Sequence, residues 1–180
     1  MENLELNEVD MENLKVPPHN NDAETSALGA MLLSKEAITL SIEMISMEDF
    51  YSPAHQKIYS SILSLYNRNE ACDVITLAEE LSKIDSLDEV GGAVYLANLS
   101  SSVAAISNAK YYLNIIKEKS ILRQLIETSS KVISRAYSAE AKASALLELA
   151  QKDIFEISED QNFREYEIKY IREMLDKLGV

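Results

Sequence analysis

Apolar residues recur at three- and four-residue steps along most of the chain, which is the spacing that places them on one face of an α-helix. The pattern predicts helices over about 21–33, 35–46, 53–68, 76–84, 93–100, 109–137, 139–158 and 163–178. Pro53 suits a first helical turn. Asn20 or Asn21 offers an N-cap, and Asn21–Glu24 and Thr76–Glu79 have capping-box spacing. We therefore predict an all-α chain.

The lengths of the helices and the breaks between them divide this all-α chain into four parts. Residues 1–15 form a short acidic stretch that we expect to be a disordered tail. Residues 16–105 are predicted to form a globular helical bundle, and a connector rich in Ser and Ala follows over 101–109. Residues 106–158 then form a long antiparallel helical hairpin, because the break near Tyr137 and Ser138 is short. Residues 159–180 are predicted to be a C-terminal linker segment containing the last helix.

The first hairpin helix carries more apolar surface than one neighbour can cover. Its apolar positions span about 220° around the axis, whereas a helix that faces one core needs about 100°. One interpretation is that both flanks pack within the chain. We favour self-association of the hairpin, with an edge left for another protein. The residues assigned to self-association are Tyr112, Ile115, Ile116, Leu122, Leu125, Leu146 and Leu147.

Charge is distributed unevenly. The chain has a formal net charge of −13, so its surface as a whole repels nucleic acid. Residues 110–137 nevertheless carry six basic and two acidic side chains. This basic helix is a candidate docking strip for an acidic partner, although a solvated face explains the charge too. A weak DNA-binding module using the Lys117–Lys131 strip stays an alternative, but the strip lacks interleaved aromatic residues for base stacking.

Composition excludes several kinds of site. None of the four glycines is followed by Lys, so a phosphate-binding P-loop is absent. One cysteine and two histidines cannot form a zinc site of Cys/His spacing or a disulfide within the chain. We find neither a signal peptide nor an apolar run of about 20 residues, and we therefore expect a cytoplasmic protein with no membrane partner.

Few residues could support catalysis. Cys72 is interpreted as a small buried hydrophobe, and His19 and His55 as structural residues. The alternative is a small hydrolase using Cys72 or His55, which would require a pocket with convergent polar groups around His55. The acidic side chains at Asp73, Glu79, Glu80 and Glu89 are interpreted as helix caps or exposed charges.

Five segments together resemble one known family. They are VPPHNNDAETSALGAMLL (16–33), EDFYSPAHQKIY (48–59), DVITLAEEL (73–81), LDEVGGAVYLANL (87–99) and AKYYLNIIKEKSILRQLI (109–126). In this order and spacing they resemble the N-terminal domain of the DnaB-type hexameric replicative helicase of bacteria. The resemblance covers about residues 16–158.

The resemblance implies a non-catalytic domain that acts mechanically in DNA replication. Its hairpins would pair, and three dimers would form a collar on a hexameric ring whose separate ATPase motor uses ATP and Mg²⁺. No cofactor is expected in the present chain. A DnaG-type primase would dock on the hairpin during primosome assembly, and a helicase loader stays an open possibility. The positions that correspond to primase contacts are Arg123, Ile126, Val132, Ile133, Ser134 and Arg135.

Overall fold

Helices account for all the regular structure among the residues that the computed structural model describes, which are 16–101, 103, 105–138 and 142–158. The all-α prediction is confirmed, and the helices begin and end within four residues of the predicted positions. They are α1 (Asn21–Leu33), α2 (Lys35–Met44), α3 (Pro53–Asn67), α4 (Val74–Lys83), α5 (Gly92–Ser101), α6 (Ala109–Ser138) and α7 (143–158). The predicted tail over 1–15 and the predicted last helix over 163–178 lie outside the described residues.

Both predicted capping boxes are wrong. Helix α1 begins after Asn20, whose side-chain oxygen accepts from the backbone N–H of Ala23 at 2.9 Å. Its Glu24 does not turn back to the helix end, because the carboxylate is buried and binds other groups.

Helix α4 begins two residues earlier than the Thr76–Glu79 spacing predicts. Asp73 is the cap, and its carboxylate accepts from the backbone N–H groups of Ile75 and Thr76, both at 2.9 Å. The Thr76 hydroxyl in turn accepts from the backbone N–H of Asp73. Asp73 thus satisfies two of the helix's unpaired donors where a threonine hydroxyl would satisfy one.

One hydrophobic core joins helices α1 to α5 and the start of α6. Helix α1 packs against α2, α3 and α5, and α4 packs against α3 and α5. The beginning of α6 enters the same core through Ala109, Leu113 and Ile116. The largest fully buried side chains are Tyr59, Phe50, Leu28, Met31, Ile38, Ile58, Ile62, Leu65, Leu77, Leu81, Leu96 and Leu99.

An ion pair between a half-buried lysine and a buried aspartate reinforces this attachment of α6. The ammonium of Lys117 lies 3.1 Å from Oδ2 of Asp49, which is 1% exposed and ends a short 3-10 turn over Met47–Asp49. Removing either partner would leave the other charge unpaired and only partly hydrated. This would lower the free energy of unfolding far more than the loss of an exposed ion pair would.

The chain divides into two compact units after Ser120, later than the predicted boundary at 105/106. The division falls within α6 because one face of its first turns, up to Ser120, is buried in the globular unit. The second unit contains the rest of α6 together with α7. None of its described residues over 121–138 and 142–158 is buried.

Gly29 permits the close approach of α1 to α5. A Cβ at this position would overlap the backbone carbonyl oxygen of Leu99 and lie 2.5 Å from Cγ2 of Val103. A backbone atom cannot rotate away as a side chain can, so a larger residue here would push the two helices apart.

We therefore expect Gly29→Ala to lower the free energy of unfolding by roughly 2 kcal/mol or more, the upper part of the range for an overpacked core. Urea unfolding followed by circular dichroism measures this change. Gly92→Ala is the comparison, because no atom lies within 4 Å of its added Cβ and only the backbone φ of +73° opposes it. That variant should lose about 1 kcal/mol, and equal losses in the two variants would contradict the close-approach argument.

Candidate protein-docking site

The second half of α6 exposes a continuous apolar face. Ile126 and Ile133 are 53% and 56% exposed, and both lie well outside any core contact. At 100° per residue the exposed apolar positions fall within about 120° of the helix circumference. These positions are Leu122, Leu125, Ile126, Ile133 and Tyr137.

A different face of the same helix is half-buried within the hairpin unit. On α6 the half-buried positions of this face are Ile121, Gln124, Thr128 and Val132, and on α7 they are Leu146, Ala150, Asp153 and Ile157. Arg123 is half-buried too but lies on another side of α6. Each set recurs at steps of three and four residues, as the contact faces of two helices in a hairpin do. The wide apolar arc of α6 is thus divided, and its exposed part is not the part that the hairpin covers.

The residues assigned to self-association fall into two groups. Tyr112 and Ile115 are partly buried against the core of the globular unit, and Ile116 is only 2% exposed. In these first turns the apolar side chains pack within the chain, which is the alternative interpretation of the wide arc. Ile116 has almost no surface left to contact a second copy. In the hairpin unit, by contrast, Leu122, Leu125 and Leu147 are exposed and Leu146 is half-buried.

The six positions expected to contact primase all lie on the hairpin half of α6. Ile126, Ile133, Ser134 and Arg135 are exposed, whereas Arg123 and Val132 are half-buried. The structure therefore leaves two large apolar side chains and two polar ones of this set accessible on the surface.

The hairpin half of α6 is less positive than the number of its basic residues suggests. Arg135 Nη1 lies 3.1 Å from Oδ2 of Asp153, and Lys131 Nζ lies 2.6 Å from Oε1 of Glu127. Both pairs border a cleft of about 610 Å³ between α6 and α7, which Glu156 also lines. Carboxylates therefore accompany both of the basic residues that line this cleft, and the local charge is close to neutral.

A buried polar cluster in the globular unit was missed by the sequence analysis. The Glu24 carboxylate accepts from the backbone N–H groups of Tyr51 (2.7 Å) and Ser52 (3.3 Å) and from His55 Nδ1 (2.6 Å). The remaining ring nitrogen of His55 shares a 2.7 Å hydrogen bond with the Tyr95 hydroxyl. The cluster joins α1, the turn before α3, α3 and α5, and the structural interpretation of His55 is confirmed.

Among the predicted caps and exposed charges, Glu80 is an exception. It is only 9% exposed, and its carboxylate accepts from both terminal nitrogens of the Arg68 guanidinium, at 2.9 and 2.8 Å. These hydrogen bonds hold the pKa of the Glu80 carboxyl below its ordinary value. Glu79 and Glu89 are exposed as predicted, and Glu89 is paired with Lys57.

A model of the family described as the DnaB-like helicase N terminal domain matches residues 16–118. The chain belongs to this family. The resemblance drawn from the five sequence segments is thereby confirmed, and the arrangement described above is that of a DnaB-like N-terminal domain.

Several relatives are similar over most of the chain. It is 43% identical over 152 residues to the replicative DNA helicase DnaB of Leifsonia xyli subsp. xyli, and 41% identical over 153 residues to the replicative DNA helicase DnaC of Bacillus subtilis. These matches cover 84% and 85% of the chain but 33% and 34% of the relatives. The chain therefore spans about a third of the length of the curated relatives it matches.

Two solved structures are similar to this DnaB-like domain. The N-terminal domain of DnaB helicase from Mycobacterium tuberculosis is 42% identical with a TM-score of 0.74, covering 78% of this chain and 99% of that one. A structure described as a DnaB-like replicative helicase and its interactions with primase has a TM-score of 0.64 at 24% identity. That match covers 86% of this chain and 34% of the other, and it supports the fold.

The hydrolase alternative is not supported in this DnaB-like domain. Both ring nitrogens of His55 are already hydrogen-bonded, to Glu24 and Tyr95. Burial raises the pKa of the Cys72 thiol to about 11, and the nearby charge of Asp73 acts in the same direction. A thiol with this pKa is almost entirely protonated at neutral pH and is a poor nucleophile.

Neither a metal centre nor a membrane span is found in the part of the chain that the structure describes. Over 16–101, 103, 105–138 and 142–158, no three His, Cys, Asp or Glu side chains are grouped so that they could hold a metal ion. Within the same ranges no helix is both long and apolar enough to cross a bilayer.

We expect iodoacetamide to alkylate Cys72 at least tenfold more slowly in the folded domain than in concentrated urea at pH 8. With a pKa of about 11, roughly one thiol in a thousand is ionised at that pH, about a hundredfold fewer than in an unshifted cysteine. Mass spectrometry of timed samples measures both rates. The alkylation rate of the folded domain should keep rising up to about pH 11. Equal rates in the folded and unfolded states would contradict the conclusion that the Cys72 thiol is a poor nucleophile.

Proposed function

We propose that this chain is the N-terminal part of a replicative DNA helicase, where it associates with further copies of itself and docks a DnaG-type primase. The observation that carries the proposal is the exposed apolar face of α6, formed by Leu122, Leu125, Ile126, Ile133 and Tyr137. Unwinding, with ATP and Mg²⁺, would belong to a separate motor domain, and the assembly would act in the cytoplasm as dimers within a hexameric ring. A helicase loader is a further candidate partner.

Self-association is supported by the incomplete burial of the hairpin unit. Its described residues include no buried side chain over 121–138 and 142–158, although they include many Leu and Ile residues. A two-helix hairpin has too little interior to cover two apolar faces, so a second copy would remove the remaining face from water. Leu122 and Leu125 on α6 and Leu147 on α7 are the exposed residues that we assign to this contact.

Primase docking is supported by a second portion of the same face. Ile126 lies about 100° around the helix from Leu125, so a partner can reach it while another copy covers Leu125. Leu122 lies only about 40° from Ile126, so it stands where the two contacts would border each other. Ile126 and Ile133 are seven residues apart and therefore lie on one stripe. The similar helicase structure described with its primase interactions adds weight to this choice of partner.

We expect Leu125→Asp to weaken self-association by about 2 kcal/mol or more, because a charge would have to be desolvated in the contact. Light scattering over a concentration series should give a dimer or larger species for the wild type and a lower mass for the variant. Leu125→Met keeps the apolar volume and should retain the wild-type mass. A wild-type chain that stays monomeric at every concentration would contradict the self-association proposal.

For the primase surface, Ile126→Asp and Ile133→Asp should each weaken binding of primase by roughly 2 kcal/mol or more. Val132→Asp, which the sequence alone suggests equally, is a poorer test because Val132 is half-buried in the hairpin. Isothermal titration calorimetry measures the affinity. Gln151→Asp places the same charge at an exposed position of α7 and should bind normally. Unchanged affinity in folded Ile126 and Ile133 variants would refute this surface.

A further inference from the structure

Arg135, one of the six positions expected to contact primase, is already engaged within its own chain. Its guanidinium donates from Nη1 to Oδ2 of Asp153 at 3.1 Å. The side chains of Arg135 and Asp153 are 44% and 24% exposed, so both remain within reach of a partner. Any carboxylate that comes to bind Arg135 therefore meets another carboxylate already in place.

Other carboxylates around the Arg135–Asp153 pair further offset the positive charge of α6. Lys131, on the same cleft, is paired with Glu127, and the third carboxylate of the cleft, Glu156, lies 3.6 Å from Lys152. The cleft thus contains two basic and three acidic side chains. The positive charge that would attract an acidic partner to α6 is offset here by residues of the hairpin itself.

We propose that Asp153 acts as an internal competitor at the docking site, holding Arg135 until an acidic group of the partner takes its place. The inference rests on the proposed docking function and adds its regulation and the chemistry of the partner, which is a carboxylate that binds a guanidinium. Docking exchanges one ion pair for another. The net gain from Arg135 is therefore only the difference between the two pairs, and removing the charge of Asp153 makes the whole interaction available.

The test is the affinity of the 180-residue chain for the full-length DnaG-type primase encoded in the same genome, measured by titration calorimetry. Asp153→Asn keeps the size of the side chain and removes its charge. We expect it to bind primase about two- to fivefold more tightly, as expected for a partly exposed ion pair.

Two further variants make the result specific to the Arg135 pair. Glu156→Gln removes the same charge from the same cleft, one turn along α7, and should leave the affinity within about 1.5-fold of wild type because Glu156 is paired with Lys152. In an Arg135→Ala background, Asp153→Asn should have no effect, because the group that Asp153 holds is gone. Urea unfolding of each variant checks that the hairpin is intact.

Each outcome decides between the two proposals. If the wild type does not bind primase at all, the proposed docking function fails and this inference fails with it. If the wild type binds but Asp153→Asn binds equally or more weakly, or if Glu156→Gln gains as much, the competition by Asp153 is overturned while docking stands. Tighter binding that depends on both Asp153→Asn and the presence of Arg135 supports the inference.

Discussion

The globular unit depends on one buried carboxylate. Glu24 is 1% exposed, so its charge would be very costly without donors around it. Two backbone N–H groups and His55 supply those donors, and His55 in turn is hydrogen-bonded by Tyr95. Because these groups come from α1, the turn before α3, α3 and α5, the cluster specifies how the elements meet, while the surrounding apolar side chains supply most of the driving force for packing.

Helix α6 has two roles because its environment changes along its length. One face of its first turns is buried, and Lys117 is paired there with the buried Asp49. Beyond Ser120 it belongs to the hairpin unit, where one face of the helix is half-buried and a neighbouring face exposes its apolar side chains. One sequence periodicity therefore serves a core in the first part and leaves an accessible surface in the second, which explains why the arc looks too wide when it is counted over the whole helix.

The helices could be predicted because their signals are local: apolar spacing, Pro53 at a helix start and an asparagine, Asn20 or Asn21, as a cap. The Glu24 cluster could not, because 31 residues separate Glu24 from His55 and 40 separate His55 from Tyr95. The spacing between Asn21 and Glu24 even predicted the wrong role for Glu24, that of a capping residue. The sequence near a glutamate looks the same whether its side chain caps the helix or is buried. The burial of Ile116 was likewise hidden, because a helical stripe looks the same whether it meets the chain's own core or a second copy.

The charge pattern of the sequence does not describe the charge of the proposed docking surface, and the reason is physical. A count of basic and acidic residues along one helix leaves out the charges of neighbouring helices. The electrostatic potential at a surface depends on every charge within about 10 Å, whichever helix carries it. Asp153 follows Arg135 by 18 residues and still lies 3.1 Å from it. Pairs of this kind leave little net charge on the cleft between α6 and α7. If a partner docks here as proposed, its affinity would come mainly from Ile126 and Ile133, and charge would determine which partners are tolerated rather than how tightly they bind.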